Sequence, residues 1–477
     1  MASLHRKVPT LDEIVANLPP TINPFRFGPD LINQLRFPIV SSQTYLVLIL
    51  FSIFHLLISL ICILIVLRLT WPNSIKQKVK FSWIFKKVYV EDENGDQVET
   101  TPLILPNSGL LMAFFQFLAS LVAQIQIYFT FFSFKSYKFA SKFSLPVWLY
   151  ISWLFAFYAF WVMTWASVYT RLYTQSAYAE ALRSAPFYIF RPIVLNSFFV
   201  LIAVLVTFTD LFLISWNLVC FRQEKNYWAD LLESMSVAAV GWDNLNSTTD
   251  ASAALRGGLN TNNRTIIDSL SLLKGQVQDT MVKGYRVLAI DIQLIHRSRV
   301  IAFIWALILL FTCMIYAGVM KSLISLIDSA SAKKGRRKPK VQVGLIRRPF
   351  PSQTCFDHPI LDETEERSFV DTVEEASVLQ RGLHYLICHS LVMILAILYA
   401  TAICIIMGVK AEEMILNSYW RGLGSWLSLV GGIFMAIAMA FQFWRIWVDL
   451  DIIIPVQDRR DQSPIQYSPS EIKLGHR

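Results

Sequence analysis

Two apolar runs, Ile193 to Cys220 and Val300 to Ile327, constrain this chain more than any other feature. About 20 consecutive apolar residues cross roughly 30 Å of hydrocarbon as a helix, and both runs are long enough. Inside a bilayer no water satisfies backbone N–H and C=O groups, so lone segments of this kind are α-helical. Between the two runs lies a polar insert, Phe221 to Ser298, which carries too many charges to enter hydrocarbon.

Further apolar runs lie at Tyr45 to Leu69, Leu110 to Phe134, Pro146 to Tyr169, Tyr385 to Val409 and Leu423 to Val448. The expected fold is therefore an all-α polytopic membrane protein. It is a bundle of about seven transmembrane helices with an extracytoplasmic helical insert between the fourth and fifth spans. Composition agrees: 16% of residues are charged and the mean hydropathy is +0.47, against about 25% charged in soluble domains. The excess of Lys and Arg, +9 overall, reads as orientation and contact with anionic lipid. Nucleic acid is not an expected partner.

Orientation follows from where those cations sit. Lys76, Lys78, Lys80, Lys86 and Lys87 follow the first span, Arg171, Arg183 and Arg191 follow the third, and Lys333 to Arg348 follow the fifth. The positive-inside rule places these loops and the C-terminus in the cytosol and the N-terminus outside. Lys135, Lys138 and Lys142 argue locally against this. The sequons Asn246-Ser247-Thr248 and Asn263-Arg264-Thr265 both fall in the insert, and a used sequon must be lumenal or extracellular. The expected membrane is the plasma membrane or another secretory-pathway membrane.

The resulting map has an extracytoplasmic tail (residues 1–43, broken by Pro19, Pro20, Pro24 and Pro38) and spans one to four (44–220). The insert occupies 221–298, and the fifth span 299–327. A cytosolic polybasic and acidic loop (328–383), spans six and seven (384–448) and a disordered cytosolic tail (449–477) complete it. Within the first cytosolic loop, alternating residues around Asn94-Gly95 predict a β-hairpin near 85–101, because both central positions of a type I′ turn need φ > 0. Trp148, Trp153, Trp161 and Trp165 in the third span are expected to mark the interfacial belt. Cys62, Cys313, Cys388 and Cys404 lie inside apolar runs, where they act as small hydrophobes.

In the insert, Leu231, Leu232, Met235, Ala238 and Ala239 share one helical face over Trp228 to Val240. Trp242 to Asn262 reads as an exposed loop. A second helix is expected from Thr265, where Thr265-Ile266-Ile267-Asp268 has the form of a capping box. Its stripe is Ile266, Leu270, Leu273, Val277, Met281, Leu288, Ile292 and Ile295. That stripe has to bury against something: the first insert helix, a partner protein or a second copy of this chain.

Ionisable residues inside spans are costly and mark candidate sites. Asp210, flanked by Thr207, Phe208, Thr209 and Leu211, is the clearest, and Gln124 and Gln126 lie at comparable depth in the second span. Together they are candidates for ligand or ion binding. His389, near the inner end of the sixth span, reads as a packing residue. In the seventh span Gly424, Ser428, Gly432, Ala436 and Ala440 recur every four residues, a stripe that lets helices approach closely. Lys333, Lys334, Arg336, Arg337, Lys338 and Lys340 form a juxtamembrane cluster suited to anionic inner-leaflet lipids. The acidic stretch Asp362 to Glu375 is a candidate helix leading into the sixth span.

No phosphate loop, dinucleotide fingerprint, His-Glu-x-x-His or Cys-x-x-Cys occurs, so neither enzymatic activity, a metal nor a cofactor is expected. The outline is that of a G-protein-coupled receptor, but no motif carries the likeness: the seventh span lacks Asn-Pro-x-x-Tyr. The expected role is receptor-like, cell-surface recognition or signalling through the insert. The alternative is an ion channel or small-solute transporter built on Asp210.

Overall fold

The computed structural model describes residues 22–29, 40–70, 83–90, 97, 99–140, 142–173, 191–254, 262–336 and 363–461. Helices dominate it: α1 (Ser42–Thr70), α2 (Ser108–Lys135), short α3 (Tyr137–Ala140), α4 (Leu145–Tyr173), α5 (Pro192–Ala254), α6 (Asn262–Arg336), α7 (Glu363–Val409), short α8 (Ala411–Leu416) and α9 (Ser418–Asp461). Among the described residues, α1, α2, α4, α5, α6 and α7 each contain a segment long and apolar enough to cross a membrane. The protein is an all-α, multi-pass membrane bundle with lipid-facing apolar surface. In α9 the corresponding apolar segment, Val430–Trp444, is shorter.

The helices close into a ring. α1 packs on α2, α2 on α4, α4 on α6, α6 on α7, α7 on α9 and α9 back on α1, while α5 lies outside against α4 and α6. Sequential neighbours run antiparallel: Ser52 meets Gln124 and His55 meets Ser120 between α1 and α2. The first and last helices are parallel. An added Cβ on Gly422 would lie 3.0 Å from the Thr44 hydroxyl, and one on Gly432 would lie 3.2 Å from the Phe51 ring. At the other end Arg68 sits 4.7 Å over the Trp447 ring.

The core is aromatic where α4, α5 and α6 meet. Trp161, Trp305, Tyr169, Phe157 and Phe199 are fully buried. Trp165 stacks on Phe199 at 5.4 Å, and Trp161 Nε1 donates to the Phe199 carbonyl at 2.9 Å. The belt expected from the third-span tryptophans is thus corrected for Trp161 and Trp165. Flat rings that fit between three helices gain more from packing and a hydrogen bond than from the interface.

β1 (Phe85–Val88) and β2 (Leu103–Pro106) pair antiparallel, Phe85 opposite Pro106 and Val88 opposite Leu103. Antiparallel pairing is present where the hairpin is expected, its second strand reaching Pro106; the turn expected at Asn94-Gly95 lies outside the described residues. The strands are anchored to the bundle. Asn107, the N-cap of α2, accepts from Leu110 N and donates through Nδ2 to the Trp83 carbonyl at 3.0 Å, while Leu103 is buried. Such a cap contributes about 1 kcal/mol.

Three boundaries differ from expectation. α5 runs through Trp242 to Ala254, so most of the expected exposed loop is helix; residues 255–261 lie outside the described set. α6 begins at Asn262, which places Thr265 inside it rather than at a cap. α9 continues to Asp461, so the beginning of the tail expected to be disordered is helical. In each case continuation of an already nucleated helix, one hydrogen bond per added residue, prevails over local polarity.

Candidate functional site

Asp210 sits on α5 facing α4 and α6 and is 2% exposed. Its Oδ1 accepts from Trp305 Nε1 at 3.2 Å, and its Oδ2 has no hydrogen-bond partner. Trp305 is held by Trp153 at 6.0 Å and Phe157 at 6.3 Å, both from α4. Among the described residues no ion pair reaches the carboxyl group. A carboxylate in this setting carries a large desolvation cost, and one indole donor offsets only part of it.

The glutamines at similar depth are elsewhere. Gln124 Oε1 accepts from Ser52 Oγ at 2.7 Å and its Nε2 donates to the Ser52 carbonyl at 2.6 Å, so its side chain is spent on α1. Gln126 is half-buried, and its carbonyl accepts from Thr130 Oγ1. The structure brings neither to Asp210. Gln124 lies instead in a polar row between α1 and α2 with Ser52, His55 and Ser120. His55 Nδ1 lies 3.2 Å from Ser120 Oγ, and the imidazole packs edge-on against Phe51 at 4.6 Å. Continuing the Ser52–Gln124 and His55–Ser120 register by one turn places Ser59 opposite Gln116, both buried, with Ser59 Oγ and Gln116 Oε1 lacking partners. Gln442 of α9, also buried, would approach an added Cβ on Gly109 to 3.2 Å. The signal was present, since His55 interrupts Phe-Ser-Ile-Phe-His-Leu-Leu.

Beyond Cys220 and before Ile290, α5 and α6 continue as a two-helix hairpin. Leu231, Met235, Ala238 and Ala239 are buried on α5, and Leu273, Val287 and Ile290 on α6. Gly241 makes room for the Gln276 side chain, since a Cβ there would lie 2.2 Å from Gln276 Oε1. The long stripe read from sequence is divided. Leu273 faces α5, whereas Leu270, Met281, Leu288 and Ile292 are exposed, so that stripe is not the hairpin's seam. A polar clasp locks the pair: Ser234 Oγ donates to Asp279 Oδ2 at 2.9 Å, and Lys283 Nζ lies 2.8 Å from the same oxygen.

Hydrogen bonds from Lys283 and then Ser234 hold the Asp279 carboxyl below its ordinary 3.8. The clasp is therefore complete above about pH 4 and is lost as pH falls through the lowered value. Amide protection around Ser234 and Asp279 is expected to fall with acid in hydrogen exchange, and Asp279→Asn should abolish that step.

Residues 24–29 form a short helical segment that docks on the same hairpin. Asn23 Nδ2 donates to the Ala239 carbonyl and to Asp243 Oδ1, both at 2.9 Å, and Arg26 meets Asp243 Oδ2 at 2.7 Å. Phe25 lies edge-on to Trp242 at 6.4 Å.

The remaining candidates are placed as follows. Gly432 packs on Phe51 and Ala436 is half-buried, but Ala440 is exposed. Gly424 lies close to Met414, and the Ser428 side chain is outside the described set. The buried face of α9 instead runs through Gly422, Gly432, Ala438, Met439, Gln442 and Ile446. Asn246 is half-buried on α5, and Asn263 lies in the first turn of α6. Lys333, Lys334 and Arg336 end α6, while Arg337, Lys338 and Lys340 fall outside the described residues. The acidic stretch from Glu363 is part of α7. His389 is buried and stacks on Tyr385 at 5.7 Å. No protein-family model, curated protein or solved structure matches this chain.

Proposed function

We propose that this chain is a non-enzymatic membrane protein that works in recognition or signalling at the cell surface through the α5–α6 hairpin. The observation that carries this reading is the exposed apolar face of α6 outside its own seam. A charged helical hairpin rarely leaves such a stripe uncovered, and an apolar strip rimmed by polar residues is the usual mark of an interaction surface.

In this reading α9 is a seventh crossing, parallel to α1, and the N-terminus and hairpin lie outside. Two observations support it. The Gly422–Thr44 and Trp447–Arg68 contacts carry α9 along the same depth as α1, and residues 22–29 share a side with the hairpin they dock on. The basic end of α6 then meets the anionic inner leaflet. A glycosidase mobility shift on tagged protein tests the orientation. The expected result is a shift abolished only in the Asn246→Gln, Asn263→Gln double variant. A hairpin in the cytosol, detected by its protection from an impermeant label, would overturn it.

One observation favours a second reading, an ion channel or small-solute transporter: Asp210 Oδ2 is buried without a partner. Asp210→Asn should then abolish flux in proteoliposomes while the protein still folds. Unaltered flux removes this alternative.

A further inference from the structure

The transport reading names Asp210 and no solute. We propose that Asp210 and Asn217 belong to one buried binding site for a monovalent metal cation, for which sodium is the probe. The proposal rests on that reading only for Asp210, since a site can bind a cation without conducting it.

Asn217 follows Asp210 by seven residues, two turns of α5, so the two lie within about 20° of one direction. The same step reaches Glu224 and then Leu231 and Ala238, all buried. A helical seam at this step is ordinarily apolar, and this one becomes so only in the hairpin. Asn217 is 0% exposed, and neither its Oδ1 nor its Nδ2 has a hydrogen-bond partner among the described residues. Asp210 Oδ2 is unpaired as well. Unpaired buried polar atoms are costly, and leucine at 217 would pack without that cost. An occupant that pairs with all three atoms accounts for the amide.

The neighbouring helices add oxygens here rather than charge. The Trp305–Asp210 and Arg297–Trp216 pairings bring Ser298 of α6 near the level of Asn217. Tyr150 of α4 is 3% exposed, and its hydroxyl is within electrostatic reach of both Asp210 and Ser298. The two arginines at this end of the α6 span are engaged elsewhere. Arg297 donates to the Trp216 carbonyl at 2.6 Å, and Arg299 to the Gly408 carbonyl at 3.2 Å.

That donor set selects the occupant. Asp210 Oδ2, Asn217 Oδ1 and the hydroxyls of Tyr150 and Ser298 are oxygens, which suit a hard cation rather than a transition metal. One carboxylate balances one positive charge, and a second charge would stay uncompensated in the membrane interior. Among the described residues no three His, Cys, Asp or Glu side chains gather, so the carboxylates of a dedicated calcium site are missing here. A proton on Oδ2 fits less well, because it leaves both ends of the Asn217 amide unpaired. The Cα atoms of Asp210 and Asn217 stand about 10.5 Å apart along the axis. Two short side chains, one ion and a retained water fill that distance, and the water pairs with the amide.

Equilibrium binding of radioactive sodium to the full-length protein in detergent tests the proposal. It is run at neutral and alkaline pH, so that protons do not compete, with N-methylglucamine replacing sodium at constant ionic strength. The expected result is saturable binding, with affinity lowered about tenfold or more in Asp210→Asn and in Asn217→Leu. Both replacements keep side-chain size, so unchanged helical circular dichroism is expected. If Asn217→Leu does not fold, Tyr150→Phe, which loses only a hydroxyl, takes its place. Wild-type protein that binds no sodium overturns the site, and so does wild-type affinity in the folded variant. Sodium bound without flux in proteoliposomes keeps the site and removes the transport reading. A wild type that binds no sodium, yet loses the flux of another solute in Asp210→Asn, keeps that reading and removes this site.

Discussion

Trp305→Ala is expected to destabilise the bundle by about 3–5 kcal/mol, the cost of emptying a fully buried Phe or Trp site. Trp305 is 1% exposed and fills the space between α4, α5 and α6. Its loss also removes the only hydrogen bond to Asp210 among the described residues, so a cavity and an unpaired carboxyl appear together. Trp305→Phe separates the two effects. It keeps most of the ring volume but leaves Asp210 Oδ1 without a donor, which costs about 1–3 kcal/mol. Combining Trp305→Phe with Asp210→Leu should recover part of that loss, because apolar groups replace both partners. Denaturant unfolding in detergent micelles measures all three variants. A Trp305→Ala cost below that of Trp305→Phe would contradict this account.

The second large effect is expected at Asn196, near the start of α5. Its Oδ1 accepts from Ile104 N at 3.0 Å and from Tyr169 Oη at 2.6 Å, and its Nδ2 donates to the Pro102 carbonyl at 2.9 Å. One amide thus ties β2, α4 and α5 together. Asn196→Leu removes the described acceptor of both the Ile104 N–H and the Tyr169 hydroxyl, at about 1–3 kcal/mol for a buried N–H left unpaired. Limited proteolysis is expected to cut between residues 83 and 106 much faster in this variant. Asn196→Asp retains the two acceptor interactions and should lie between it and wild type. An unchanged cleavage rate in Asn196→Leu would show that the β-hairpin is anchored by other contacts.

Elements were more legible in the sequence than their rotations. Apolar length revealed the spans, because burial of the backbone in hydrocarbon leaves few alternatives. Period revealed the second hairpin helix. Period alone cannot say which way a helix is turned. On α6 both the face toward α5 and the face away from it carry apolar residues, so one stripe was read where two exist. Depth suffers the same limit: Gln124 and Asp210 are at similar heights but point to different neighbours, Ser52 and Trp305. Asn196 gave no signal, since its work is done by residues distant in sequence. His55 did give one, an ionisable ring inside an apolar run.

The parallel contact between α1 and α9 has a consequence for biogenesis. Every other close pairing along the ring can form soon after its second helix is made, whereas this one joins the first helix to the last. Phe51 and His55, which face Gly432, have no α9 to meet until Gly432 has been made. Chains that stop before Ser418 leave that face of α1 open to lipid or to an insertion chaperone. The ring therefore closes only once α9 has been made.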